Sequence, residues 1–255
     1  MTEPSGLVRY EAGVGVATVT LDSPRNRNAL SAQLVAELTD RLGEAGADRG
    51  VRAVVLTHTG RVFCSGADLA AAGAGSLGTD AVMTLLRLIA ELPKPVIARI
   101  AGHVRAGGIG IVGACDLAVA AEGASFAFTE ARIGVAPAMI SLTTLDIMDP
   151  RQAARYYLTG ETFGAPVAAW LGLVTVACAA EELDGVVDGL VAQVRETSPQ
   201  GAAETKQLLT APRRQRLDAL GPQMAELSTL LFASDEAQEG IRAFLERRAP
   251  AWRSG

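Results

Sequence analysis

Residues 106–116 read Ala-Gly-Gly-Ile-Gly-Ile-Val-Gly-Ala-Cys-Asp and place Gly108, Gly110 and Gly113 in a G-x-G-x-x-G spacing. That spacing can bring a backbone close to a dinucleotide pyrophosphate, but only in a given setting. It needs a strand directly before it, a full helix after it, and an acidic residue about twenty positions on. Here the glycines begin several residues past the strand-like 94–102, a new strand follows Asp116, and Glu122 comes too early. The surroundings argue against a nucleotide site. Two other uses remain. Glycines let a short central helix pack closely, which is the reading they favour by themselves. A helix N-terminus also exposes unsatisfied N–H groups at its positive end, which can stabilise a developing oxyanion.

A second segment bears on that choice. In 63–69, Phe-Cys-Ser-Gly-Ala-Asp-Leu, Gly66 and Ala67 form a small-residue turn after the strand-like 51–58. Two such turns, each with a free N–H, could make a two-donor oxyanion hole, although a Ser-Gly-Ala-Asp turn by itself is usually structural. Ser65 and Cys64 lack the strand–turn–helix setting of an acylating nucleophile. His58 and His103 have no metal-ligand company and read as structural. Cys64, Cys115 and Cys178 show neither disulfide nor zinc spacing, so no metal is expected and a reducing, cytoplasmic setting fits.

The elements that must hold these turns alternate. Residues 14–21, 51–58, 94–102, 117–122, 125–128 and 172–178 read as strands. Leu34, Leu38 and Leu42 recur at helical spacing behind a capping Ser31, and 80–92 forms a second helix, capped by Asp80 and stopped by Pro93. Residues 73–80, rich in glycine, are the best candidate for a mobile loop. After about residue 180 the chain reads as four successive helices separated by Pro, Gly or Ser. Alternation followed by helices indicates an α/β class. The expected division is a core over 1–190 and a helical segment over 191–255.

Composition narrows the partners. The formal net charge of −5 argues against a nucleic-acid or membrane surface, which would favour a basic face. It leaves room for an anionic small ligand held by a few arginines. The start of the chain lacks a basic-then-apolar signal pattern.

Several segments together resemble the enoyl-CoA hydratase/isomerase (crotonase) superfamily: 23–30, 60–69, 94–120, 126–137, 156–174 and 234–252. The resemblance covers almost the whole chain, and the order of the segments is more specific than any one of them. It implies a spiral core of repeated ββα units, a helical C-terminal segment used in oligomerisation, and trimers that can pair into hexamers. It implies a coenzyme A thioester as ligand, with CoA part of the substrate and no prosthetic group. By position, the N–H groups of Ala67 and Gly107 would hold the thioester oxygen as it gains enolate charge, with Glu130 as the catalytic acid/base. Arg25 and Arg27, with Ala29, Ala67, Asp68 and Leu69, would contact CoA. Lys206 and Phe244 sit in segments that can approach CoA across subunits.

The departure from the family pattern lies at Gly110. Hydratases of the family carry a first glutamate there, and only the second, Glu130, is present. The turn after Pro137, Ala-Met-Ile-Ser, also replaces a glycine-rich stretch. The leading expectation is a 2-enoyl-CoA hydratase of fatty or branched acyl-CoA metabolism. The alternatives are a Δ3-Δ2-enoyl-CoA isomerase using Glu130 alone, and a protein of this fold that binds acyl-CoA with little catalysis.

Overall fold

The structure, a computed structural model, describes residues 6–69 and 78–253. Most of the glycine-rich 73–80 therefore lies outside the described residues.

Two sheets form the frame. The larger contains β1 (Val8–Gly13), β2 (Val16–Leu21), β3 (Ala53–His58), β5 (Val96–Ile100), β7 (Leu117–Ala121) and β10 (Val176–Cys178), in that spatial order. Its strands run parallel except β1, which pairs antiparallel with β2 at the edge. The smaller contains β4 (Val62–Cys64), β6 (His103–Arg105), β8 (Ser125–Ala127) and β9 (Phe163–Gly164). The chain visits the larger sheet, then the smaller, then forms a helix, and repeats. β3 and β4 lead to α2 (Thr79–Glu91), β5 and β6 to α3 (Gly107–Ala114). β7 and β8 lead through a 3-10 turn (Glu130–Ile133) to α4 (Ala138–Thr144). This is the crotonase-type spiral.

Burial follows the layers. All six residues of β3 are buried, as a near-continuous apolar run requires when both sheet faces are covered. One face packs on the main core, with α1 (Ala32–Ala47) contributing Leu34, Leu38 and Leu42. Ser31 caps α1 by accepting from Leu34 N at 3.2 Å. The other face meets α7 (Leu183–Glu196), whose Leu183, Val187 and Val191 cover Val55, Ile97 and Val119. Residue 190 thus lies inside a helix that packs on the sheet. α5 (Pro150–Thr159) precedes β9, and α6 (Ala165–Trp170) lies between β9 and β10.

The structure corrects several local expectations. β1, β4, β6 and β9 are additional strands, β10 begins only at Val176, and Asp80 stands in the first turn of α2 with Gly78 at the cap position. The two middle C-terminal helices are one, α8 (Pro199–Phe232), which runs through Pro212 and Pro222, before α9 (Asp235–Leu245). An interior proline costs about 3 kcal/mol in an isolated helix. Here tertiary contacts hold the helix. Lys206 Nζ lies 2.7 Å from Asp116 Oδ2 and donates to the carbonyls of Ile89 and Lys94 at 2.8 and 3.0 Å. Arg213 pairs with Asp146 at 3.1 Å and donates to Ala114 O at 3.1 Å. Among the described residues, no helix is long and apolar enough to cross a membrane.

Candidate active site

The two small-residue turns meet. Gly66 has φ 87°, and a Cβ built on it would stand 2.7 Å from Ala106 Cβ and 3.5 Å from Gly107 N. Only glycine allows that approach. Leu30 braces both turns. Its N–H donates to Gly66 O at 2.8 Å, and its Cδ1 lies 2.9 Å from where a Gly107 side chain would begin. Ala106 adopts φ 47° and ψ −122°, a glycine-like conformation that aims the start of α3. Its ends are tied by Ala106 N to Ala127 O at 3.1 Å and Ile109 N to Ala106 O at 2.8 Å. Among the described residues, neither Ala67 N–H nor Gly107 N–H has a protein acceptor. Both residues line one cavity of about 510 Å³.

Glu130 lines the same cavity from the first position of its 3-10 turn. Val135 N–H donates to Glu130 O at 3.1 Å, and Phe128, just upstream, packs on the Tyr157 ring with centroids 4.2 Å apart. The side chain is buried and its Oε2 has no hydrogen-bond partner. Burial pushes the carboxyl up to about 7, slightly opposed by its own backbone N–H. A carboxyl so placed is half-ionised near neutrality and can give or take a proton. Leu30, Val82, Ile133, Met139 and Ile140 supply apolar wall.

Of the other candidate residues, Arg27, Ala29, Asp68 and Leu69 border the cavity, and Asp68 accepts from Asn26 Nδ2 at 2.7 Å. Arg25 is exposed and does not line it. Lys206 is buried in its pair with Asp116, so it is committed to the fold and unable to reach a ligand. Phe244 borders the cavity from α9 of the same chain. His103 lies outside it, 2.9 Å from Ser125 Oγ, and His58 Nε2 accepts from Ala101 N at 3.2 Å. Burial pushes the thiols of Cys64 and Cys115 up to about 12, which leaves them unreactive. Among the described residues, no group of three His, Cys, Asp or Glu is placed to hold a metal.

Two wall residues escape sequence reasoning. Arg105 is half-buried, its guanidinium donating to the carbonyls of Val104 and Ser125 and to Ser125 Oγ. Ile140 faces Gly110 across the α3–α4 crossing. An arginine in a three-residue strand and an isoleucine in a short helix carry no signal of their own.

Comparison with known proteins identifies the family. The family model for enoyl-CoA hydratase/isomerase matches residues 11–255. A Thermus thermophilus protein provisionally named an enoyl-CoA hydratase is 35% identical over 96% of this chain and 99% of its own. A probable enoyl-CoA hydratase of Rhodobacter capsulatus is 34% identical over 95% of this chain and 96% of its own. The crystal structure of an enoyl-CoA hydratase from Mycobacterium avium superimposes with a TM-score of 0.90 at 50% identity, covering 98% and 100% of the two chains. With the spiral fold and a full-length match, this chain belongs to the enoyl-CoA hydratase/isomerase family.

Proposed function

We propose that the protein is an enoyl-CoA hydratase-type enzyme acting on 2-enoyl-CoA thioesters, with Glu130 as its acid–base group. One observation carries the reading. The unpartnered Oε2 of a buried carboxyl, held near pKa 7, borders the same cavity as two unpaired N–H groups. The N–H groups of Ala67 and Gly107 hold the thioester oxygen as negative charge grows on it, and each such donor is worth about 3 kcal/mol. Protonated Glu130 gives its proton to C2 while a water oxygen bonds to C3, and the carboxylate then takes that water's proton. The net change adds water across C2=C3 and returns Glu130 to its starting state. Arg27, Ala29, Asp68 and Leu69 receive the CoA portion, with Arg27 as a phosphate partner. Apolar side chains left exposed, such as Leu227, Leu230 and Leu245, would be covered by further copies in a trimer.

A second reading is favoured by Gly110, which brings no second carboxylate to the cavity. Ionised Glu130 removes a C2 proton from a 3-enoyl-CoA, leaving an enolate held by the same two N–H groups. It then returns the proton to C4 as the double bond moves to C2=C3. This Δ3-Δ2 isomerisation uses one carboxylate and no water.

Purified protein and Glu130→Gln are assayed on 2-enoyl-CoA and 3-enoyl-CoA panels across pH 5–9. Hydration that falls about 10²- to 10⁴-fold in the variant is expected. Hydration through protonated Glu130 declines as pH rises through about 7, whereas isomerisation through the ionised form rises. Full activity in the variant removes Glu130 from the mechanism. CoA-thioester binding without turnover in the parent replaces the enzyme reading with a binding protein.

A further inference from the structure

α3 and α4 cross at Gly110 and Gly113. A Cβ at Gly110 would stand 2.5 Å from Ile140 Cγ2 and 2.9 Å from Ile140 Cβ, and one at Gly113 would stand 2.6 Å from Thr143 O. The crossing is also bonded, since Thr143 Oγ1 donates to Gly110 O at 2.9 Å. Ile140 has little freedom to retreat. Its carbonyl accepts from the Thr144 hydroxyl at 2.7 Å and lies 3.2 Å from Thr143 Oγ1. Thr144 Oγ1 in turn lies 2.5 Å from the Tyr157 hydroxyl, and the Tyr157 ring packs on Phe128, close ahead of Glu130. Ile140 is buried and also borders the cavity. A single side chain on α4 thus fills the volume into which any side chain at position 110 would project.

We propose that Ile140 is a specificity-determining residue of this cavity. From α4 it takes the space in which α3 would present a second carboxylate, and so leaves Glu130 without an acid–base partner from α3. The proposal rests on the reading of Glu130 as that group. Positions 110 and 140 then behave as one unit: a side chain fits at either, and both cannot carry one without moving the helices. Exchange of the occupant requires glycine at 140, because Ile140 Cβ itself is already too close.

The test uses the full chain as parent, Gly110→Ala, Ile140→Gly, both together, and Gly110→Glu with Ile140→Gly. Thermal melts read the packing. Gly110→Ala is expected to melt several degrees below the parent, and to cost nothing when Ile140→Gly is already present. Assays read the chemistry. The ratio of 2-enoyl-CoA hydration to 3-enoyl-CoA isomerisation is expected to rise about tenfold or more when Gly110→Glu is added to Ile140→Gly. Gly110→Ala melting with the parent overturns the proposal, as does a folded Gly110→Glu/Ile140→Gly protein with the ratio of Ile140→Gly alone. A parent that turns over neither substrate overturns the Glu130 reading instead, while the melts still decide the packing.

Discussion

Asp116, ahead of β7, and Glu130, after β8, are both carboxyl groups withdrawn from water, and burial raises the pKa of each. Their surroundings differ. Asp116 Oδ2 accepts from Val96 N at 2.7 Å and pairs with Lys206 Nζ at 2.7 Å, so its ionised form is matched by a buried cation. Glu130 Oε2 has no partner and borders a cavity. Burial is therefore not what marks a reactive carboxyl. An unmatched burial next to space for a ligand is. The partnered acid fastens α8 to the strand-to-helix core, and the unpartnered one carries an uncompensated burial cost at the cavity wall.

Removing the cation is the strongest way to sharpen that contrast. Lys206→Met strips the buried Asp116 of its cation and leaves it a single backbone donor. A loss of about 3–5 kcal/mol is expected in urea unfolding, since breaking one half of a buried pair strands the other. Activity per folded molecule stays near the parent's, because neither residue borders the cavity. Adding Asp116→Asn is expected to recover much of the loss. If Lys206→Met left stability unchanged, the two acids would not differ as described.

The opposite sign is expected at Glu130. Its folded-state pKa of about 7 lies above the ordinary 4.5. The unfolded chain therefore releases this proton first, and the folded state is penalised increasingly as pH rises from about 4.5 to about 7. Below that window the penalty vanishes, and above it the penalty is constant. Glu130→Gln should then be more stable than the parent at pH 8 by about 3 kcal/mol, at about 1.4 kcal/mol per pH unit, and no more stable at pH 4. Denaturation curves at both pH values check this. A variant that destabilises at pH 8 would mean that Glu130 is held by favourable contacts, as Asp116 is.

What could be read from the chain follows the range of each interaction. α1 is legible because Leu34, Leu38 and Leu42 and the Ser31 cap are local signals. β1 is not, because it is an edge strand with only Val8 buried, so its apolar alternation is weak. α8 defeats local reasoning at Pro212 and Pro222, since its stabilising partners, Asp116 and Asp146, lie far upstream. The same distance hides the fate of Lys206. In the site, Ala67, Gly107 and Glu130 stand out through family resemblance. Gly110 shows that a carboxylate is absent, but only the crossing of α3 with α4 shows that Ile140 has taken its place.

A smaller effect tests whether the backbone follows the same rule as the acids. Ala106, at φ 47° and ψ −122°, sits in a conformation that favours glycine, at the wall of the same cavity. Such a residue costs roughly 1–3 kcal/mol, and a glycine there would cost about 0.5–1 kcal/mol through the freer unfolded chain. Ala106→Gly is thus expected to leave stability level or raise it by about 1 kcal/mol. Its methyl, however, is what a Gly66 side chain would strike at 2.7 Å, so it spaces the two donor turns. Without it the N–H groups of Ala67 and Gly107 lose their fixed separation, and kcat is expected to fall several-fold with little change in KM, because the donors act most strongly on the enolate. Melts and steady-state kinetics on the same preparation separate the two effects. A variant both less stable and fully active would show that Ala106 is ordinary packing, and that the strain at this cavity belongs to Glu130 alone.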